Sequence, residues 1–203
     1  MRRGDGPAVR VIGVAPCALV AVALLAPALA RAEPPALHIG AGVAPGGLLT
    51  GDLERKLDTG GHVGGRLYLG VRSDWIGIEA SLAGTDATVI GEDATVSTFA
   101  LAVEARPEVA VTPWLSLYLH GGPSWGWIGS TPHPLGRFSG TGVVYGAGLE
   151  LSTHRRLENG WLLGGSLWID QSVQHLDLIG GDAGHLRGTV ALTLLGYGFS
   201  FGG

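Results

Sequence analysis

The chain has 203 residues, 46% of them hydrophobic and only 15% charged, with 36 glycines and one lysine, Lys56. Of its 17 acidic and 13 basic residues, one acid (Asp5) and four bases (Arg2, Arg3, Arg10, Arg31) precede residue 33, which leaves 16 against 9 and a net charge of −7 for the rest. That balance excludes nucleic-acid binding, which needs basic patches, and so thin a charge coat does not suit a surface that faces water.

The first element is a leader. Arg2, Arg3 and Arg10 precede an apolar run from Val11 to Leu29, which closes on Ala28-Leu29-Ala30-Arg31-Ala32. A basic start, an apolar centre and an A-x-A site read as a secretory signal peptide over residues 1–32, removed by cleavage. Two alternatives compete with it. The run is near the roughly 20 residues of a membrane-spanning helix, but Pro16 and Pro27 weaken such a helix. Acylation at Cys17 is disfavoured by Val14-Ala15-Pro16, a poor lipoprotein cleavage box. The remaining 171 residues, 33–203, suit one domain and contain no cysteine, so no disulfide framework is available.

From there on the period is two, with no helical pattern. Leu37, Ile39, Ala41 and Val43 alternate with His38, Gly40 and Gly42, and Val63, Leu67, Leu69 and Val71 with Arg66, Tyr68 and Gly70. The same pattern recurs over Ile76–Leu82, Thr98–Arg106, Leu115–His120, Val143–Ser152 and Leu163–Asp170. The last segment, Thr189–Phe201, is apolar on both parities at its start. This predicts about eight strands, each near the 9 to 11 residues of a tilted membrane strand. Long polar connections are expected at 45–61, 84–95, 129–141 and 171–186, and short ones at 72–74, around Thr112-Pro113 and at 153–160. Long loops on one side and short turns on the other suit an outer-membrane barrel with periplasmic turns.

The non-apolar face consists of Gly, Ser and Ala with isolated charges, a poor coat for water and a good filling for a narrow lumen. The apolar face then meets lipid, and closure leaves no backbone group unpaired in hydrocarbon. Trp75, Trp114 and Trp161 each follow a short turn, and Tyr197, Phe199 and Phe201 end the chain at the same level. Phe99, Trp125, Trp127 and Trp168 fall nearer the long loops. Two such bands are the aromatic girdles of a membrane barrel.

On these features the chain resembles the eight-stranded, antiparallel up-and-down transmembrane β-barrels of the Gram-negative outer membrane, such as the transmembrane domain of outer membrane protein A and the opacity-type surface proteins. The resemblance covers residues 36–201. Gly196, Phe199 and Phe201 match the terminal barrel-assembly signal, whereas Leu194 stands where a polar residue is usual and Gly202-Gly203 follow the final phenylalanine. The resemblance implies export to the outer membrane and insertion by the barrel-assembly machinery among lipid and lipopolysaccharide, as a monomer.

The luminal charges are the candidate site. Centring one hairpin on Thr112-Pro113 places Arg106 opposite His120, and centring the next on 129–141 places His120 opposite Glu150, with Glu104 nearby. Arg66 and Glu79 are expected to meet across the first short turn. Such a row reads as a salt-bridge plug, because buried charges need partners. It also admits a gated solute or ion pore, with His120 as the group that changes charge near neutral pH.

No catalytic set is assigned. Ser124 lies about 13 Å along the strand from His120, too far for nucleophile and base, and His175 or His185 with Asp170 or Asp182 forms no compact motif. A lipid-A-modifying barrel enzyme and a soluble lipocalin-like periplasmic binder remain alternatives. His133, His154, His175 and His185 lack metal-ligand spacing, so no metal or cofactor is expected. Acidic positions in the long connections (Asp52, Glu54, Asp58, Asp86, Glu92, Asp93, Asp177, Asp182, against Arg55, Lys56, Arg137 and Arg187) suit cation-bridged lipopolysaccharide or a partner, or are the ordinary polarity of exposed loops. The expected role is structural or surface-interacting.

Overall fold

The computed structural model describes residues 35–52, 54, 59–73, 75–89, 95–131, 137–156, 162–180 and 184–202. The leader, Trp161, His133, Asp182, Asp58, Glu92, Asp93, Arg55 and Lys56 lie outside the described residues, as does the side chain of His154.

Alternating side chains produce strands almost without interruption: β1 (Ala36–Ala44), β2 (Gly47–Gly51), β3 (Thr59–Arg72), β4 (Ile76–Val89), β5 (Thr95–Thr112), β6 (Leu115–Thr131), β7 (Phe138–Arg156), β8 (Leu162–Gly180) and β9 (Gly184–Gly202). β1 pairs with β3, and β3 to β9 then pair in chain order, all antiparallel. β9 closes the ring on β1, from Leu37↔Phe201 to Val43↔Leu195, and on β2, from Gly47↔Leu192 to Gly51↔Gly188. β1 and β2 are therefore two halves of one wall strand broken at Pro45-Gly46, where proline has no N–H to give the ladder. The result is a closed, eight-stranded, up-and-down barrel with no free sheet edge to aggregate.

Burial is inverted relative to a water-soluble protein. Leu37, Ile39, Leu67, Leu69, Val103, Leu119 and Leu167 are exposed on the outer wall, while His38, Arg66, Glu79, Glu104, Arg106, His120, Glu150 and Asp170 are buried inside. A wall of this kind is stable only in hydrocarbon, which rules out the soluble lipocalin-like alternative. Unboiled protein in detergent is expected to migrate on a gel differently from boiled protein, because the detergent leaves the ring closed until heat opens it.

Two features depart from the expectation. The long connections are mostly strand: β7, β8 and β9 each run 19 residues, about twice what the bilayer requires. Residues 47–51 and 171–180 are ladder rather than loop. Polar outward residues beyond the hydrocarbon do not interrupt backbone pairing, so polarity marked the edge of the membrane and not the end of the strand. The lumen also carries its charges only in the half nearer the short turns. The other half is packed by Leu49, Val96, Ile128, Phe138, Leu176, Leu178, Leu192 and Leu194.

Candidate functional site

The inward positions of β3 to β8 build two stacked tiers of charge. In the tier nearer the short turns, Arg72 donates to Glu79 at 2.7 Å and to Glu150 at 2.8 Å. Arg106 donates to Glu79 at 3.3 Å and also to Glu150. The Arg106 guanidinium stands 3.5 Å from the Tyr118 ring centroid, which gives it a cation–π contact as well. In the next tier Arg66 donates to Glu104 at 2.7 Å and lies 4.0 Å from Asp170. Ser81 donates to Glu104 as well. His120 spans the tier, with Nδ1 on Glu104 and Nε2 3.2 Å from Asp170.

All four carboxylates are at most 2% exposed. Buried ions of this kind persist only when each is answered. Three arginines face these four carboxylates, with Glu108 a further 3.8 Å from Arg106 at the edge of the lower tier, and both nitrogens of His120 point at carboxylate oxygens. Beside the tiers, the imidazole of His38 sits between the hydroxyls of Ser200, at 2.7 Å, and Tyr68, at 2.8 Å, stacked on the Tyr68 ring.

The six charged residues singled out from sequence are all inward and buried, with partners that differ in part from those expected. The register through Ala105↔Gly121 and Glu108↔Tyr118 sets Arg106 across from His120, yet their side chains bond elsewhere. His120 faces Gly146 and not Glu150, whose register partner is Ser116. The β6–β7 hairpin is centred two residues earlier than the midpoint of 129–141, and two residues at the turn become four across the ladder. Gly146 makes the position workable: a Cβ there would lie 2.2 Å from His120 Nε2, so the imidazole occupies the missing side chain's place. Arg66 does not pair with Glu79 through the first turn; it reaches Glu104, and Arg72 takes Glu79.

Arg72, Tyr118 and Asp170 were missed as members. Arg72 borders the short turn and Asp170 ends the alternating run of its strand, and the parity that Asp170 shares with Ser166 and Trp168 is the signal that points it inward. Of the girdle residues, Trp114, Tyr197, Phe199 and Phe201 are on the outer wall, as are Phe99, Trp125 and Trp127. Trp75 is half-buried. Trp168 is not in a girdle: it is 5% exposed and points into the lumen. Its outward neighbours Leu167 and Ile169 force that parity, and Gly42 and Gly196 leave the space its ring fills.

Where the charged and apolar halves meet, a cavity of about 20 Å³ is lined by Arg66, Ser81, Ser172, Gln174, Val144 and Leu194, room for about one water. Ser124 Oγ is buried with no hydrogen-bond partner among the described residues. Among the described residues no three His, Cys, Asp or Glu side chains converge as a metal ion needs. Gly122 is a point of close approach, where a Cβ would lie 1.9 Å from the Val103 carbonyl oxygen. Gly122→Ala is expected to push β5 and β6 apart and to abolish the folded, heat-sensitive gel band.

A family model described as outer membrane protein beta-barrel domain matches residues 17–199. Among solved structures, Ail, the attachment invasion locus protein of Yersinia pestis, in complex with the heparin analogue sucrose octasulfate, aligns at a TM-score of 0.51 and 20% identity, over 83% of this chain and 99% of that one. Neisserial surface protein A aligns at 0.47 and 10% identity, over 82% and 98% of the two chains. The N-terminal β-barrel domain of Pseudomonas aeruginosa OprF aligns at 0.42 and 18% identity, over 84% and 99%. No curated protein matches the chain. A closed ring with an apolar outer wall and a buried charged interior, matched by that family over nearly its whole length, shows that the chain belongs to the outer membrane protein β-barrel domain family and is an eight-stranded barrel of the Gram-negative outer membrane.

Proposed function

We propose that this barrel is a closed scaffold whose work is done at its outer surface, with no passage through it and no catalytic site. The observation that carries the reading is the filling of the lumen. Interlocked arginines and carboxylates occupy the half nearer the short turns, apolar side chains fill the other half, and the cavity between them holds about 20 Å³. The signal peptide over 1–32 delivers the chain for export, and the barrel-assembly machinery, outer-membrane lipid and lipopolysaccharide are its partners on the way to and in the membrane. A role at the outer face fits the long extensions of β7 to β9, which carry side chains above the lipid. Ail, of the same fold, is seen in complex with a heparin analogue.

Planar-bilayer recording tests the plug. The wild-type protein is expected to give no stable conductance steps, and Arg72→Ala with Arg106→Ala to give none either, because the apolar half still fills the lumen. Stable, ion-selective conductance from the wild type would replace this reading with the narrow pore.

A further inference from the structure

The lipid-facing wall is not uniform. On β5 and β6 every outward position from Phe99 to Val111 and from Leu115 to Trp127 is apolar or glycine. On β8 and β9 the middle outward positions are Gln171 and Thr193, register partners joined by a hydrogen bond from Thr193 Oγ1 to Gln171 Oε1 at 2.8 Å. That bond uses the amide oxygen and leaves the amide N–H donors on the outer wall. Higher on the same sector Tyr145 bonds His175 at 3.0 Å and Arg187 donates to Asp177 at 3.1 Å.

The backbone is weakest in the same place. Pairing of β9 with β1 ends at Val43↔Leu195 and resumes with β2 at Gly47↔Leu192, so Thr193 faces the break at Pro45-Gly46. Among the described residues β2 has no ladder to β3. Polar side chains and unpaired backbone on a lipid-facing wall are costly unless covered.

We propose that this sector is where two copies of the chain pair in the membrane, about a two-fold axis that runs between β8 and β9 along the membrane normal. Such an axis exchanges β8 with β9. Asp177 of each copy then meets Arg187 of the other, two exposed, opposite charges that are register partners within one chain. Gln171 of each copy meets Thr193 of the other, and the spare amide N–H groups find acceptors. The contact is self-complementary, as a two-fold interface must be. The outward side chains beside it, Ala147 and Ala191, are small enough for close approach. A lipid headgroup could answer Asp177 and Arg187 at the rim, but Gln171 lies three outward positions deeper. The proposal departs from the monomer expected from sequence.

The test uses the full chain carrying Cys17→Ala, refolded into phosphatidylcholine vesicles at low protein-to-lipid ratio, with a single introduced cysteine. Gln171→Cys is expected to give a covalent dimer with a short bis-thiol-reactive cross-linker, and Val103→Cys, on the opposite wall, none. Added to Gln171→Cys, Asp177→Arg or Arg187→Asp alone is expected to abolish the dimer, and the two together to restore it. Every variant is first shown to keep the heat-dependent gel shift, so that loss of folding is not mistaken for loss of pairing. Equal cross-linking at positions 171 and 103, monomers throughout, or charge reversals without effect would overturn the proposal. A monomer that instead retains added lipopolysaccharide through Arg187 would assign the rim to a lipid headgroup and overturn it as well.

Discussion

Glu104→Leu is expected to destabilise the barrel by about 3–5 kcal/mol, the range for breaking a buried ionic network by deleting one member. Glu104 accepts from Arg66, Ser81 and His120 together. Without it Arg66 keeps only Asp170, at 4.0 Å, and His120 keeps a partner on one nitrogen. The loss is that of stranded cations in a lumen with almost no water, more than that of three hydrogen bonds. Replacing Arg66 and Glu104 together with apolar residues is expected to cost less than Glu104→Leu alone, because the uncompensated charge goes with its partner. Asp86→Asn, an exposed carboxylate held by Ser97, is expected to stay within about 0.5 kcal/mol of wild type. Urea unfolding in lipid vesicles measures all three. A Glu104→Leu barrel as stable as wild type would show that the tiers do not hold the wall together.

The second large effect is expected at Trp168. Its ring lies against the Tyr68 ring, centroids 5.7 Å apart, and over the faces of Gly42 and Gly196. Trp168→Ala removes that contact and leaves a void the rigid wall cannot close, at a cost of about 3–5 kcal/mol. A side chain added at Gly42 would start 2.2 Å from the indole and 3.1 Å from the Leu195 carbonyl oxygen, so Gly42→Val alone is expected to destabilise as well. In the Trp168→Ala background the same valine occupies the vacated space and is expected to recover part of the loss. Opposite signs of one substitution in two backgrounds identify direct packing, and the same urea titration reads them. Additive losses would mean that the ring and the two glycines do not share the space.

The architecture was readable because barrel walls obey one rule, alternation, and this chain obeys it from Leu37 to Phe201. Parity alone placed Arg66, Glu79, Glu104, Arg106, His120 and Glu150 on one face, and parity is local. Partner choice is not. His120 against Gly146 and Arg72 against Glu79 depend on where each turn is centred and how far a long side chain reaches along the lumen, and neither quantity is written in the strands. Trp168 was misplaced for a different reason. Its neighbourhood near a loop suggested a girdle, while its parity, and the glycines on the next two strands, dictated the lumen. The apolar upper lumen did leave a trace in the chain: Val190, Leu192 and Leu194 share a face opposite Leu195 and Tyr197, so that segment is apolar on both sides.

The 19-residue strands also bear on how the cell surface is policed. Proteases need a substrate segment that can leave its neighbours and lie extended in a foreign cleft. Arg187 is 69% exposed on its outer face, a conspicuous target for a trypsin-like enzyme. Its peptide bond, however, is held on one side by Asp177 of β8 and lies next to Gly188, which pairs with Gly51 of β2. The taller part of the rim therefore behaves as masonry: it offers chemistry to whatever binds it and denies purchase to whatever would cut it.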